Sequence, residues 1–128
     1  MNHWANLLIK VGKDIELRGV LYETETAKKI YQSLPLQDMG STWGEEIYFS
    51  TSVKAALEEN AREVLEAGEL AYWPDMQAFC IFYGPTPASQ GDEIRAAGAV
   101  NIIGRIEDDV SVLKNVSGQV EVTVDENL

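Results

Sequence analysis

Hydrophobic residues that recur at every second position limit the fold of this chain more than any other feature of its sequence. Val120, Val122 and Val124 alternate with polar residues near the C-terminus, and segments 7–11 and 15–21 show a similar period near the N-terminus. A period of two places successive side chains on opposite faces of a β-strand. The two N-terminal segments, separated by a Gly-Lys break, therefore predict a β-hairpin.

Further segments of strand character occur along the chain, at residues 46–50, 69–73, 78–83, 99–107, 109–116 and 119–124. One segment has a different period, because residues 24–34 space their apolar side chains at i, i+3, i+4 and i+7. With threonines that can cap its start and Pro35 after its end, this segment predicts a helix. Seven or eight strands with one clear helix predict a mainly β protein, most economically a closed antiparallel barrel.

Connections between these elements are marked by turn-forming residues. Residues 38–44 and 84–98 predict surface loops, and residues 74–77 predict a tight turn between two antiparallel strands. Residues 53–68 have the Ala, Glu and Leu content of a helix. Their apolar positions form an imperfect helical stripe with Asn60 near its centre, so their structure stays open at this point.

A single deep core should be shared by successive strands. We expect it to contain Ile47, Phe49, Phe79, Ile81, Val100, Ile102 and Ile106. The run 78–83 is apolar at every position, so both of its faces should be covered. The last strand should pair with the N-terminal hairpin, which would close the barrel and bring the chain ends together.

Length and composition indicate one globular domain over residues 1–128, with 45% hydrophobic residues. No apolar run is long enough to cross a bilayer and no secretory leader pattern is present, so we expect a cytoplasmic protein. The chain is acidic, with a formal net charge of −11. Such a surface repels phosphate groups, so we expect neither nucleic acid nor anionic membranes as partners.

Residues suited to catalysis are scarce. His3 is the single histidine and lies near the N-terminus, where chains fray. Cys80 is the single cysteine, and its apolar neighbours predict a buried, unreactive thiol. Glu45 and Glu46 are adjacent, so on a strand they point to opposite faces and cannot act as a pair. The sequence predicts no catalytic residue, no metal site and no cofactor.

Aromatic residues are the strongest candidates for a binding site. The candidate ligand-binding set is Trp43, Tyr48, Tyr72, Trp73, Phe79, Tyr83 and Arg105. Two interpretations are open: the rings fill one end of the barrel as a plug, which we prefer, or they line a groove for an apolar or proline-bearing ligand. Arg105 is either buried beside a carboxylate or exposed on the outer wall.

Three motifs carry a family resemblance: WGEEIYFS at 43–50, GELAYWPDMQAFCIFYGPTPAS at 68–89 and VNIIGRIE at 100–107. In this order they resemble the small prokaryotic cyclophilin-like proteins of uncharacterised function, nearly from end to end. The resemblance implies a closed eight-stranded antiparallel barrel with one or two short helices. It also implies that residues 53–68 are mostly extended and turn structure, against their helical propensity.

Cyclophilins isomerise X-Pro bonds with an arginine beside an apolar proline pocket. The strand that carries this arginine resembles WGEEIYF, where the present chain has acids. The resemblance implies that Phe79 and Phe82 keep part of the apolar pocket. It also places AAGA, residues 96–99, where cyclophilins have a histidine.

Three hypotheses of function follow from these observations. The first is a non-catalytic binding module that accepts a peptide or small molecule at an aromatic barrel mouth. The second is a weak peptidyl-prolyl cis-trans isomerase with Arg105 or Arg18 as its electrostatic element. The third is a structural or assembly role through an exposed edge strand.

Overall fold

A computed structural model describes residues 2–128. It contains nine strands: His3–Val11 (β1), Ile15–Tyr22 (β2), Leu36–Thr42 (β3), Glu46–Ser50 (β4), Arg62–Leu65 (β5), Glu69–Trp73 (β6), Ala78–Phe82 (β7), Ile94–Ile106 (β8) and Gln119–Glu126 (β9). An α-helix spans Glu25–Gln32 (α1), and two 3-10 helices span Pro74–Met76 and Val110–Asn115. Among the described residues, no helix is long and apolar enough to cross a membrane.

Eight of the strands form a closed antiparallel ring. Its order is β2-β1-β9-β3-β4-β7-β6-β8, and β8 pairs back with β2 to complete the circle. The last strand lies between β1 and β3, with Leu7 opposite Glu126 and Leu36 opposite Val124. The predicted mainly β barrel, and the predicted pairing of the last strand with the N-terminal hairpin, are both confirmed.

The wall of the ring separates two apolar clusters. The interior cluster draws buried side chains from β1, β2, β4, β6, β7, β8 and β9, and from Ala27 and Ile30 of α1. The outer cluster lies on the other face of β2, β6, β7 and β8, where the first half of β8 and the short β5 add a second layer. Because β7 is covered by both clusters, all five of its residues are buried, as its uninterrupted apolar run predicted.

All seven predicted core residues are buried, but they do not share one interior. Val100 and Ile102 belong to the outer cluster, whereas Ile106 faces the interior. The reason is a bulge in β8, where Leu70 lies opposite Gly104 and Ala71 opposite Ile102. One extra residue on β8 breaks the strict alternation on which the prediction depended.

Residues 53–68 contain no helix, as the family resemblance implied. Buried Asn101 holds this segment against the barrel: its amide nitrogen donates to the carbonyl of Ala56 at 2.9 Å, and its amide oxygen accepts from the backbone of Glu58 at 2.8 Å. The Glu58 carboxylate accepts from the hydroxyl of Thr26 at the start of α1. These bonds give two backbone groups of the segment partners outside a helix, so tertiary contacts override helical propensity here.

The helix α1 forms where the sequence predicted it. Thr24 is the residue that caps it, because its hydroxyl accepts from the backbone of Ala27 at 3.1 Å. The last residue of the helix is Gln32, and Ser33 caps it two residues before Pro35.

Three local predictions were wrong. Residues 38–44 are not a loop, because most of them extend β3, where Gly40 lets the side chains of Ile47 and Val122 approach the backbone. The predicted loop over 84–98 ends early, since β8 begins at Ile94. The predicted strand 109–116 is a 3-10 helix, and it buries Leu113. Positions 110, 113 and 116 pack on the interior with a period of three, which fits a 3-10 helix.

Candidate functional site

A pocket of about 250 Å³ lies on the outer face of the barrel wall. Its floor is built by side chains of β4 and β7 that alternate with interior residues, since Tyr48 lies opposite Cys80 and Glu46 opposite Phe82. The rest of the lining is Trp43, Trp73, Met76, Ala96, Ala97 and Val100. We call this cavity the outer-face pocket.

The two tryptophans are placed by turns on either side of the floor. Trp43 begins the turn between β3 and β4, in which its backbone donates to the carbonyl of Glu46 at 2.8 Å and Gly44 has φ of 59°. Trp73 ends β6 just before Pro74, which starts a 3-10 turn that Gln77 closes with φ of 50°. Both residues are half-buried, and both line the pocket.

Small residues on β8 leave the cavity open. The strand crosses the outer face with Ala96, Ala97 and Val100 toward the pocket. A β-carbon placed on Gly98 would lie 3.4 Å from the indole nitrogen of Trp73, so the backbone of β8 passes close to this ring. Larger side chains at these alanines would fill the space that the tryptophans border.

Glu46 is the acidic member of the lining. It is 5% exposed, and burial raises the pKa of its carboxyl group to about 7, while the nearby Cys80 thiol, whose sulfur donates to the carbonyl of Ala78 at 3.7 Å, acts in the opposite direction. Among residues 2–128, no lysine, arginine or histidine nitrogen lies within 4.0 Å of this carboxylate. A ligand in the pocket would therefore contact a carboxyl group that has no cationic partner within the described residues.

Cys80 is a buried thiol rather than a nucleophile. Burial, followed by the nearby Glu46 carboxylate, raises its pKa well above the usual value, so the thiolate is disfavoured. Within the described part of the chain, no group of three or more His, Cys, Asp or Glu side chains could hold a metal ion.

The seven candidate residues chosen from the sequence do not form one site. Trp43, Tyr48 and Trp73 line the outer-face pocket together. Tyr72, Phe79, and Tyr83 lie in the interior cluster on the other side of the wall. Phe79 stacks on Phe49 with ring centroids 5.3 Å apart. The aromatic residues therefore do not gather at a barrel mouth, since three line the outer wall and three pack inside.

Arg105 lies outside both the interior and the pocket. Its guanidinium donates to Glu107 at 3.1 Å and to the hydroxyl of Tyr22 at 3.4 Å, and it stands 5.7 Å from the centre of the Tyr22 ring. Both partners raise the pKa of the guanidinium, the tyrosine first. Of the two possibilities left open by the sequence, this is an outer-wall arginine, half-buried and paired.

Sequence reasoning missed Glu46, Met76, Cys80 and the β8 residues as members of the pocket. A signal for Glu46 was present, because it lies two positions before Tyr48 and must share its face of the strand. Phe82 was linked to an apolar pocket by the family resemblance, together with Phe79. The structure places Phe82 in the pocket lining and Phe79 in the interior.

Comparisons with known proteins agree with this architecture. A family profile described as Cyclophilin-like matches residues 5–125. The solution structure of the hypothetical protein AF2241 from Archaeoglobus fulgidus is similar over 96% of this chain and 95% of that one, with 40% sequence identity and a TM-score of 0.80. A search of curated proteins gives no significant match.

Proposed function

We propose that this chain, which belongs to the cyclophilin-like family, is a non-catalytic binding module that holds a ligand in its outer-face pocket. The observation that carries the proposal is the convergence of Trp43, Tyr48 and Trp73 on one partly open cavity. Binding sites are concave, mostly apolar and oriented by a few polar groups, and here aromatic rings surround a single carboxyl group.

The size of the cavity indicates the size of the ligand. Pockets for drug-sized molecules have volumes of about 300–1,000 Å³, and the outer-face pocket has about 250 Å³. It fits a small molecule or one side chain of a peptide. The half-buried tryptophan rings would stack on such a group, at low entropic cost because each ring has only two side-chain torsions.

The polar contents of the pocket favour binding over catalysis. Glu46, Tyr48 and Cys80 are the titratable side chains in its lining, and the thiol is held in its neutral form. The two arginines considered for an isomerase are engaged elsewhere, since Arg105 binds Glu107 and Arg18 binds Asp108 at 2.7 Å. An electrostatic element for prolyl isomerisation would need a free positive charge beside the ligand.

The test uses the chain's three tryptophans as built-in reporters. A fragment library and proline-containing peptides are titrated into ¹⁵N-labelled protein, and the indole N–H resonances are followed. We expect ligands that enter the pocket to shift Trp43 and Trp73. Trp4 packs edge-to-face on Tyr31 at 5.0 Å, away from the pocket, so its resonance should stay in place.

Matched variants locate the site. Trp73→Ala should abolish the shifts, whereas Trp4→Ala should leave ligand binding unchanged. If no fragment or peptide moves the Trp43 and Trp73 signals, or if Trp73→Ala binds as tightly as the parent protein, the outer-face pocket is not a binding site.

A further inference from the structure

The two buried glutamates of the barrel differ in their partners. Glu69 is 7% exposed, and Arg62 binds it with two hydrogen bonds of 2.7 Å while the backbone of Glu66 donates a third at 2.7 Å. Glu46 is as buried, but no ion pair joins its carboxylate to a cation of the described residues, and the thiol of Cys80 near it is neutral. A buried carboxylate is stable only when paired, so Glu46 lacks the counter-charge that Glu69 has.

The position of Glu46 shows where a counter-charge would come from. Its carboxyl group lines the outer-face pocket, together with Trp43, Tyr48 and Trp73. A cation near an aromatic face is attracted by the electrons of the ring, and the attraction is stronger when the site is desolvated. The rings and the carboxylate therefore favour the same kind of occupant, and neither favours an anion.

We propose that the pocket selects small organic cations, with a quaternary ammonium or protonated amine head against the Glu46 carboxylate and among the aromatic rings. This inference rests on the proposed function. The apolar side chains of Phe82 and Val100 in the lining contact the alkyl part of such a ligand. Weakly hydrated alkylammonium heads suit this site, because the cavity has little polar surface to replace a full hydration shell.

The charge of the whole molecule supports the same choice. With a formal net charge of −11, the protein attracts cations and repels anions at a distance. That long-range attraction is not specific to the pocket, so the test must separate it from contact with Glu46.

The experiment compares a cation with its neutral isostere. Choline and 3,3-dimethyl-1-butanol have the same shape, but choline is positively charged and does not titrate. Both are added to ¹⁵N-labelled protein at pH 8, where Glu46 is mostly ionised, and the indole signals of Trp43 and Trp73 give the affinities. We expect choline to bind more tightly by about tenfold or more, the size of a desolvated cation–π and charge contact.

Two variants of equal charge change assign the preference to one residue. Glu46→Gln keeps the shape of the side chain but removes the counter-charge, so it should remove most of the tenfold preference for choline over 3,3-dimethyl-1-butanol. Glu45→Gln is the control, since Glu45 lies next along the chain but does not line the pocket. It makes the net charge less negative by the same one unit and should retain the preference for choline.

The outcomes separate this inference from the proposed function. Equal binding of the two isosteres would overturn the cation assignment, and a preference that is undiminished in Glu46→Gln would overturn the role of Glu46 in it. Both outcomes would leave a binding pocket in place. If neither isostere shifts the two tryptophans but other library fragments do, the pocket binds ligands of another class and the assignment is again wrong. If nothing from the whole library binds, both proposals fail together.

Discussion

Tyr72 and Trp73 are consecutive residues whose rings lie on opposite sides of the barrel wall. The ring of Tyr72 is fully buried in the interior cluster, and its hydroxyl donates to the carbonyl of Val53 at 2.5 Å. The ring of Trp73 is half-buried and lines the outer-face pocket. One dipeptide thus supplies a structural anchor to the inside and a candidate binding surface to the outside.

Alanine substitutions at these two neighbours should therefore differ in their effect on stability. Tyr72→Ala removes a buried ring and leaves the Val53 carbonyl without its partner, so we expect a loss of about 3–5 kcal/mol. Trp73→Ala removes a ring that keeps part of its solvent contact, and we expect a loss below about 2 kcal/mol. Urea denaturation of both variants measures the difference, and equal losses would place Trp73 in a packed plug.

The buried Glu46 predicts an unusual dependence of stability on pH. Its folded pKa of about 7 lies above the ordinary 4.5, so the folded state holds the proton more tightly than the unfolded state does. Its contribution is thus most favourable below about pH 4.5 and is lost as pH rises through about 7. At 1.36 kcal/mol per pKa unit, the full loss is about 3 kcal/mol.

Glu46→Gln removes this titration, so the variant should gain stability over the parent as pH rises from 5 to 8. The titratable groups that share the pocket with Glu46 are the thiol of Cys80 and the phenol of Tyr48, and Tyr83 lies across the wall. The pKa values of Cys80 and Tyr83 are raised, so both stay neutral in this range. Glu45→Gln, at the surface beside Lys114, should show no such trend. Melting temperatures of the parent and both variants at four pH values test this prediction. A difference between Glu46→Gln and the parent that does not change with pH would contradict it.

The ring of strands could be predicted from the sequence because alternation is a local signal. The first hairpin and β9 each present an apolar face every second residue, and one buried face per strand leads to a barrel. The segment over 53–68 could not be predicted from its own residues. Its extended form depends on Asn101, a buried amide more than 30 positions away along the chain.

The candidate site was harder to predict than the fold. Aromatic residues on neighbouring strands look alike in a sequence, and the face that each one occupies depends on register. Trp73 and Tyr72 were grouped together although strand geometry puts them on opposite faces. Glu46 was considered only as a partner of Glu45. Glu46 lines a pocket because the first residues of β8 lie across the outer face, and the sequence had predicted a loop over 84–98.

Closure of the ring depends on a glycine where β8 pairs with both β2 and β6. Gly104 lies opposite Leu21 on one side and Leu70 on the other. A β-carbon at this position would stand 2.0 Å from the backbone oxygen of Val20. Gly104→Ala should force the two strands apart, with an expected loss of about 3 kcal/mol or more.

Gly98→Ala is the matched control, because it lies on the same strand and its β-carbon would make an ordinary contact of 3.4 Å with Trp73. It should change stability by less than about 1 kcal/mol. Thermal melting compares the two variants. Comparable melting temperatures for both would mean that β2 and β8 tolerate separation and that their pairing contributes little.

Prolyl isomerisation should not be accelerated by this protein. Both arginines that could polarise a prolyl amide are paired away from the pocket, Arg105 with Glu107 and Arg18 with Asp108. In a protease-coupled assay with a proline peptide, we expect the uncatalysed rate at micromolar protein. Acceleration that disappears in Arg105→Ala or Arg18→Ala would show that one of these arginines moves to the substrate.

The last strand should be essential for folding, because it is inserted between two others rather than added at an edge. On one side β9 pairs with β1 from Leu7 to Val11, and on the other side with β3 from Leu36 to Ser41. Its Val122 and Val124 are fully buried in the interior cluster. Deleting residues 118–128 would expose two strand edges and open the ring, so the truncated chain should show neither the native circular dichroism spectrum nor a cooperative melt.

Deleting only residues 127–128 is the control, since they follow β9 and Leu128 is fully exposed, and that variant should melt within a few degrees of the full chain. A chain lacking residues 118–128 that still melts cooperatively near the full-length temperature would show that the barrel folds without its closing strand.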